Sequence, residues 1–193
     1  MNILIPAAGL GTRFKDQYDN PKNMIDVKGE PMLVASAKSL KLTTPENTFI
    51  FVIPENDHTV ELKERLEVEF SGCRVLNMAG ESQGAAETAV SAQGFFPEDE
   101  ELLIANCDQI MAWSDESRDK IFNKLREFDA GIVTIKSDDP KHSYLNLETG
   151  EIVEKEVVSD QALVGLHYWK HGKDFIQSTR LMMQSGIKSR GEY

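Results

Sequence analysis

The sequence predicts a three-layer α/β fold, a mainly parallel mixed sheet with helices on both faces. Short β-branched and aromatic runs alternate with helical stretches from the first residues onward. A glycine-rich turn follows the first run directly, and near the end the alternation gives way to consecutive strands. Strand-helix alternation at this spacing favours parallel strands joined by crossover helices.

Asn2–Pro6 reads as the first strand. Pro31–Leu40 reads as a helix with Pro31 in its first turn, where a missing N–H costs nothing. Thr48–Ile53 (TFIFVI) is a buried strand by its composition. His58–Phe70 carries Val60, Leu62, Leu66 and Phe70 among charges, the pattern of an amphipathic surface helix. Cys73–Asn77 and Glu101–Ala105 are further strands, with a small-residue helix, Ala85–Gln93, opened by Gly84 between them. Ser117–Phe128 is expected to be a helix with Ile121, Leu125 and Phe128 on one face, and Gly131–Lys136 the next strand. Ser143–Leu147, Glu151–Val158 and Gln161–Trp169 then read as successive strands, either an antiparallel excursion or an addition to the sheet edge. Lys173–Gln184 is the last helix. With 193 residues and no repeat or linker, positions 1–193 are expected to form a single domain.

Hydrophobic residues make up 40% and charged residues 27%, the balance of a globular protein. No apolar run approaches the ~18 residues of a membrane span, and the start Met1-Asn2-Ile3-Leu4-Ile5-Pro6 lacks the basic leader of a signal peptide. Cys73 and Cys107 match no metal-ligand spacing and read as buried reduced thiols, so the expected location is cytoplasmic. A net charge of −11 argues against a nucleic-acid partner, which calls for a basic face. It does not exclude phosphorylated substrates, which a few cations in a cleft and a divalent metal can hold.

The motif of most interest is Ala7-Ala8-Gly9-Leu10-Gly11-Thr12-Arg13-Phe14, directly after the first strand. Ligands in open α/β sheets sit beyond the carboxyl ends of strands. Small residues let backbone N–H groups approach an anion, and Arg13 adds a forked cation suited to phosphate. No Gly-Lys-Ser/Thr closes the loop, so it is not a Walker loop, and Phe14 replaces the third glycine of a dinucleotide fingerprint. A glycine turn with no ligand stays open as an alternative. Lys22 follows in Pro21-Lys22-Asn23-Met24, close enough in sequence to reach the same phosphates. Gly80-Glu81-Ser82-Gln83-Gly84-Ala85, taken by its residues alone, reads as a polar helix cap before an alanine-rich helix. Asp108 ends the apolar run Leu103-Ile104-Ala105-Asn106-Cys107, the place for a metal-binding carboxylate or for a turn cap. His167 and His171 are four apart, but in a strand context that separates them. No Ser-His-Asp or Cys-His nucleophile set is visible.

A-A-G-x-G-T-R-F followed by P-K and G-x-P-M resembles the opening of the sugar nucleotidyltransferases, the pyrophosphorylases that make nucleotide-activated sugars. The likeness runs colinearly from Met1 to Phe175 and is nearest the short members serving capsule and cell-surface polysaccharides, on QGAAETA, NCDQ and EK-x-x-x-S-D-x-A-x-x-G. The resemblance implies a three-layer, Rossmann-like nucleotidyltransferase domain. It implies that Ala8, Gly9, Gly11 and Thr12 cradle a nucleoside triphosphate (NTP), with Gln83 and Gly84 at its base. Arg13, Lys22 and Asp108 would be catalytic, Asp108 as the ligand of Mg2+. Glu154 and Lys155, with Gly165 in the following strand, would bind a phosphorylated acceptor such as a sugar 1-phosphate, although Glu156 replaces a proline common in the family. Family members also supply a second metal-ligating aspartate beyond the point where this chain stops, so either Asp108 holds the metal with waters and substrate or the chain is a truncated form. A strand starting near Gly191-Glu192-Tyr193 would then be incomplete, and the expectation is self-association through that end into a homo-oligomer. Two other readings stay open: a cytidylyltransferase with a phosphorylated non-sugar acceptor, and a catalytically silent nucleotide-binding domain.

Overall fold

The computed structural model describes residues 1–9, 11, 14, 17–18, 20–42, 47–186 and 188. Leu10, Thr12, Arg13 and the terminal Gly191-Glu192-Tyr193 segment lie outside the described residues. The strands are β1 (Asn2–Pro6), β2 (Asp26–Val27), β3 (Glu30–Pro31), β4 (Thr48–Pro54), β5 (Arg74–Met78), β6 (Leu102–Ala105), β7 (Ala130–Lys136), β8 (Ser143–Leu145), β9 (Ile152–Glu154) and β10 (Gln161–Trp169). The helices are α1 (Met32–Ser39), α2 (Thr59–Glu69), α3 (Ala85–Ser91), α4 (Asp115–Leu125) and α5 (Gly172–Ser185). Among the described residues no helix is long and apolar enough to cross a membrane.

The main sheet runs β5-β4-β1-β6-β10-β8-β9, with β7 on the other side of β10. β5, β4, β1 and β6 are mutually parallel. β10 is antiparallel to β6, β7 and β8, so the late change of pattern is an antiparallel extension of the parallel sheet. It is the sheet's long strand, and its register slips between Leu163 and His167. Such a bulge bends a strand and lets its two halves serve different neighbours. Here the carboxyl half pairs with β6 and the amino half with β8.

Alternation within the strands splits the core between two faces, since successive side chains point to opposite sides. Ile3, Ile5, Phe49, Phe51, Ile53 and Leu103 pack with Leu33, Val34 and Ala37 of α1, Leu62 and Leu66 of α2, and Phe122 and Leu125 of α4. Leu4, Ile50, Val52 and Leu102 point the other way, onto Ala89 of α3 and Phe175 and Ile176 of α5. This is the three-layer α/β arrangement the sequence predicts. Phe70, just past α2, closes an aromatic group with ring centroids 4.6 Å from Phe49 and 5.5 Å from Phe51.

Several boundaries and faces differ from expectation. Pro31 stands one residue ahead of α1 and pairs with Asp26 in the β2–β3 hairpin. Val60 is exposed, because α2 buries Thr59, Leu62 and Leu66 instead. α4 starts two residues earlier than expected, where the Ser114 hydroxyl accepts from the Ser117 amide (3.1 Å) as an N-cap. It ends before Phe128, which is left exposed, and buries Phe122 beside Leu125, with Ile121 partly buried against the same core. β8 and β9 are shorter than the runs 143–147 and 151–158: Lys155, at φ +57°, ends β9.

Candidate active site

The loops after β1, β5 and β6 surround a cleft of about 500 Å³. β4 and β5 lie to one side of β1 and β6 to the other, so the chain reverses its direction of sheet growth here. At such a switch point neighbouring loops diverge and leave a crevice at the strand ends. Ala8, Gly9, Gly11 and Phe14 line it from the first loop, Glu81, Ser82, Gly84 and Thr88 from the second, and Asn106, Cys107 and Asp108 from the third.

Lys22 crosses between these loops. Its Nζ lies 2.7 Å from Asp108 Oδ2 and 5.7 Å from the centre of the Phe14 ring. Asn23, buried beside it, donates to the Ala7 carbonyl (2.8 Å) and fixes the lysine's short 3₁₀ turn against the β1 loop. Gly11, at φ +58°, takes the rest of the space: a Cβ there would stand 2.7 Å from Lys22 Cβ. A side chain at Gly11 would thus push Lys22 aside. Burial alone would lower the Lys22 pKa, but Cys107 and Asp108 more than compensate and the net shift is upward. The ammonium therefore stays charged near neutrality. Burial pushes the Cys107 thiol up against the opposing pull of Lys22.

The turn that carries Asp108 is held from two directions. The Asn106 amide donates to the Gly165 carbonyl in the β10 bulge (3.1 Å). Gly165 has φ +65°, and a Cβ on it would meet the Asn106 side chain at 2.2 Å and Gln109 Oε1 at 2.6 Å. Only a glycine lets β10 and this turn approach so closely. From below, the buried Ser36 hydroxyl of α1 reaches the carbonyls of Asn106 (3.1 Å) and Gln109 (2.7 Å).

The second loop is tied to α3. Thr88 Oγ1 donates within reach of both Ser82 Oγ (2.6 Å) and the Gly84 carbonyl (3.1 Å), and the Glu87 carboxylate accepts from the Gln83 amide. Gln83 is exposed and turns its side-chain carbonyl to Lys188 Nζ (2.6 Å).

Of the residues singled out in the sequence, the cleft lining gathers Ala8, Gly9, Gly11, Lys22, Gly84 and Asp108. Gln83 adjoins the lining without being part of it. Glu154 and Lys155 do not line it: they pair with each other (2.9 Å) at the end of β9, where the Lys155 amide donates to the His142 carbonyl (3.1 Å). Lys155 holds a left-handed conformation without a glycine and outside a tight hairpin, a strained state that proteins tend to keep at functional positions. Gly165 touches the site through Asn106 and Gln109. Sequence reasoning passed over Asn23, Ser36 and Asn106. Only the Asn106 position, next to Asp108 at a strand end, gave a local hint.

Comparison with known proteins adds to this geometry. The nucleoside-diphosphate-sugar pyrophosphorylase of Vibrio cholerae RC9 superposes with a TM-score of 0.76 at 22% identity, over 99% of this chain and 83% of that one. A UDP-glucose pyrophosphorylase solved with UDP-glucose gives 0.66 at 16% identity, over 93% and 78%. HddC from Yersinia pseudotuberculosis gives 0.67 at 21% identity, over 91% and 79%. These likenesses establish the shared fold. No curated protein matches the chain significantly. The model of the MobA-like NTP transferase domain matches residues 3–164, a span that takes in all three loops of the cleft. The chain therefore belongs to the MobA-like NTP transferase family and is a nucleotidyltransferase.

Proposed function

We propose that the protein transfers a nucleoside monophosphate from an NTP to a phosphorylated small molecule, a sugar 1-phosphate, giving a nucleotide-sugar and pyrophosphate. The observation that carries this reading is the Lys22–Asp108 pair, 2.7 Å apart in a cleft rimmed by the glycines of the β1 loop. One cation for phosphate and one carboxylate for a metal stand at the switch point where a triphosphate would lie. The pyrophosphorylases that share the fold support a sugar phosphate as acceptor.

An oxygen of the acceptor's phosphate attacks the α-phosphorus as the bond to the β-phosphate oxygen breaks, and pyrophosphate leaves in line. The attacking oxygen is already anionic near neutral pH, so catalysis consists of positioning and charge stabilisation. Lys22, released from Asp108, stabilises charge gathering between the α- and β-phosphates. Among the described residues nothing lies within 4 Å of where a Cβ on Gly9 would be, and that opening lets backbone amides of the β1 loop approach the phosphates. Ala8, Gly11, Thr12 and Arg13 complete the grip on the triphosphate in this reading. Gln83 and Gly84 meet the base, Glu154 the acceptor's hydroxyls and Lys155 its phosphate, with Gly165 shaping the floor.

Among the described residues no group of three His, Cys, Asp or Glu is placed to cage a metal. Asp108 nevertheless fits Mg2+, which is commonly held by one or two carboxylates together with water and substrate phosphates. Bound there, Mg2+ would act as a Lewis acid on the phosphate oxygens. A pyrophosphate-release screen of the four common triphosphates against a panel of sugar phosphates, with Mg2+ present, tests the proposal. One base paired with one sugar phosphate should stand out. Release that ignores the acceptor would contradict it.

A further inference from the structure

The described residues of α1 do more than cover the sheet. Ser36 is wholly buried, and its hydroxyl lies between the carbonyls of Asn106 and Gln109, the two residues that bracket Cys107 and Asp108. Three residues on, Ser39 Oγ accepts from the Met111 amide (3.0 Å), and the Ser39 carbonyl accepts from the Trp113 indole N–H (2.8 Å). Residues at i and i+3 of a helix share a face. One face of α1 therefore holds the segment 106–113 at both ends, while Leu33, Val34 and Ala37 bury themselves in the core. Among the described residues the Asp108 carboxylate pairs with Lys22, and its position depends on the backbone of this turn.

We infer that Ser36 is a positioning residue: by holding the 106–109 turn it aims the Asp108 carboxylate at the metal and at Lys22, and Ser39 secures the far end. The inference rests on the reading of Asp108 as a metal ligand given above. Groups that orient a metal ligand without touching the metal typically alter affinity or activity by roughly 10- to 100-fold. A hydroxyl suits this place because the part-buried carbonyls of Asn106 and Gln109 share its proton and would otherwise lose a donor.

The test is Mn2+ binding in the presence of inorganic pyrophosphate, followed by water-proton relaxation. It needs neither the base nor the acceptor to be known. Wild type, Ser36→Ala, Ser39→Ala, Asp108→Asn and Ala37→Gly are compared, with thermal melting alongside. Ala37→Gly weakens the same buried helix without touching the turn. Ser36→Ala should weaken Mn2+ binding about 10-fold or more, and Ala37→Gly should leave it unchanged even with an equal fall in Tm. Hydrogen exchange over 106–113 should rise in Ser36→Ala and at the Met111 amide in Ser39→Ala. If Ser36→Ala fails to fold, Ser39→Ala carries the same expectation at a smaller size. Binding by the serine variants within twofold of wild type would overturn the inference, as would an equal loss in Ala37→Gly. Unchanged binding in Asp108→Asn would instead remove the metal reading beneath it, and the inference with it.

Discussion

At the scale of single residues, Lys22 and Asp108 neutralise each other, and in the proposed mechanism both change partners when the substrates bind. Lys22→Ala should lower turnover by on the order of 100-fold or more, the usual loss when a group that stabilises transition-state charge is removed. Turnover unchanged in a folded variant would dismiss the role. Asp108→Asn should reduce Mg2+-dependent activity and barely move Tm, because the pair is partly exposed and partly exposed ion pairs contribute little to stability. The same variant frees the Lys22 ammonium, so metal-free triphosphate should bind it severalfold more tightly than it binds wild type. Equal or weaker metal-free binding in a titration would argue against the shared-partner picture. Lys22 and Asp108 were legible in the sequence because each follows a strand end or glycine loop in a motif. Ser36 was not, since a serine inside a small-residue helix looks the same whether it faces solvent or a carbonyl seventy residues away.

At the scale of elements, β10 joins the antiparallel extension to the site. Its bulge sets Gly165 under the Asn106–Gln109 turn, and the segments on either side of the bulge are registered against β7. Gly165→Ala should cost about 1–3 kcal/mol, as inserted carbon in a tight contact does, and should depress activity by displacing the turn. A denaturant titration with m unchanged, read beside the activity, measures both. A variant as stable and as active as wild type would mean that the contact is not needed. His167 lies in the same strand, half-buried, and burial depresses its pKa from the ordinary 6.5. The unfolded chain then binds the proton more readily, so this group's contribution is complete above 6.5 and declines as pH falls through the folded value. His167→Phe should flatten the acid side of the Tm profile just below that pH, and an unaltered profile would count against it. From sequence the glycine was legible as a family feature of the acceptor side. Its steric reason was not, because it depends on which strand ends up beside β6.

At the scale of the whole molecule, the parallel half was readable because strands buried on both faces are spelled as continuous apolar runs, such as Thr48–Pro54. Faces and ends of surface helices were less so. Ser114 followed by two acidic residues marks the start of α4, yet a later apolar spacing including Phe128 drew the expected helix past its end. The layers explain why the site lies where it does. α1, α2 and α4 shield one face of the sheet and α3 and α5 the other, so an open cleft is left at the carboxyl ends of β1, β5 and β6. The central claim, attack on the α-phosphorus in this cleft, is tested most directly by following label. The protein is incubated with Mg2+, the sugar phosphate and the best triphosphate, labelled at the α-phosphorus in one sample and the γ-phosphorus in another. The account expects α-label in a nucleotide-sugar and γ-label in pyrophosphate, with both signals falling on the order of 100-fold in Lys22→Ala. Gamma-label appearing as inorganic phosphate, with α-label left in a nucleoside diphosphate, would contradict it.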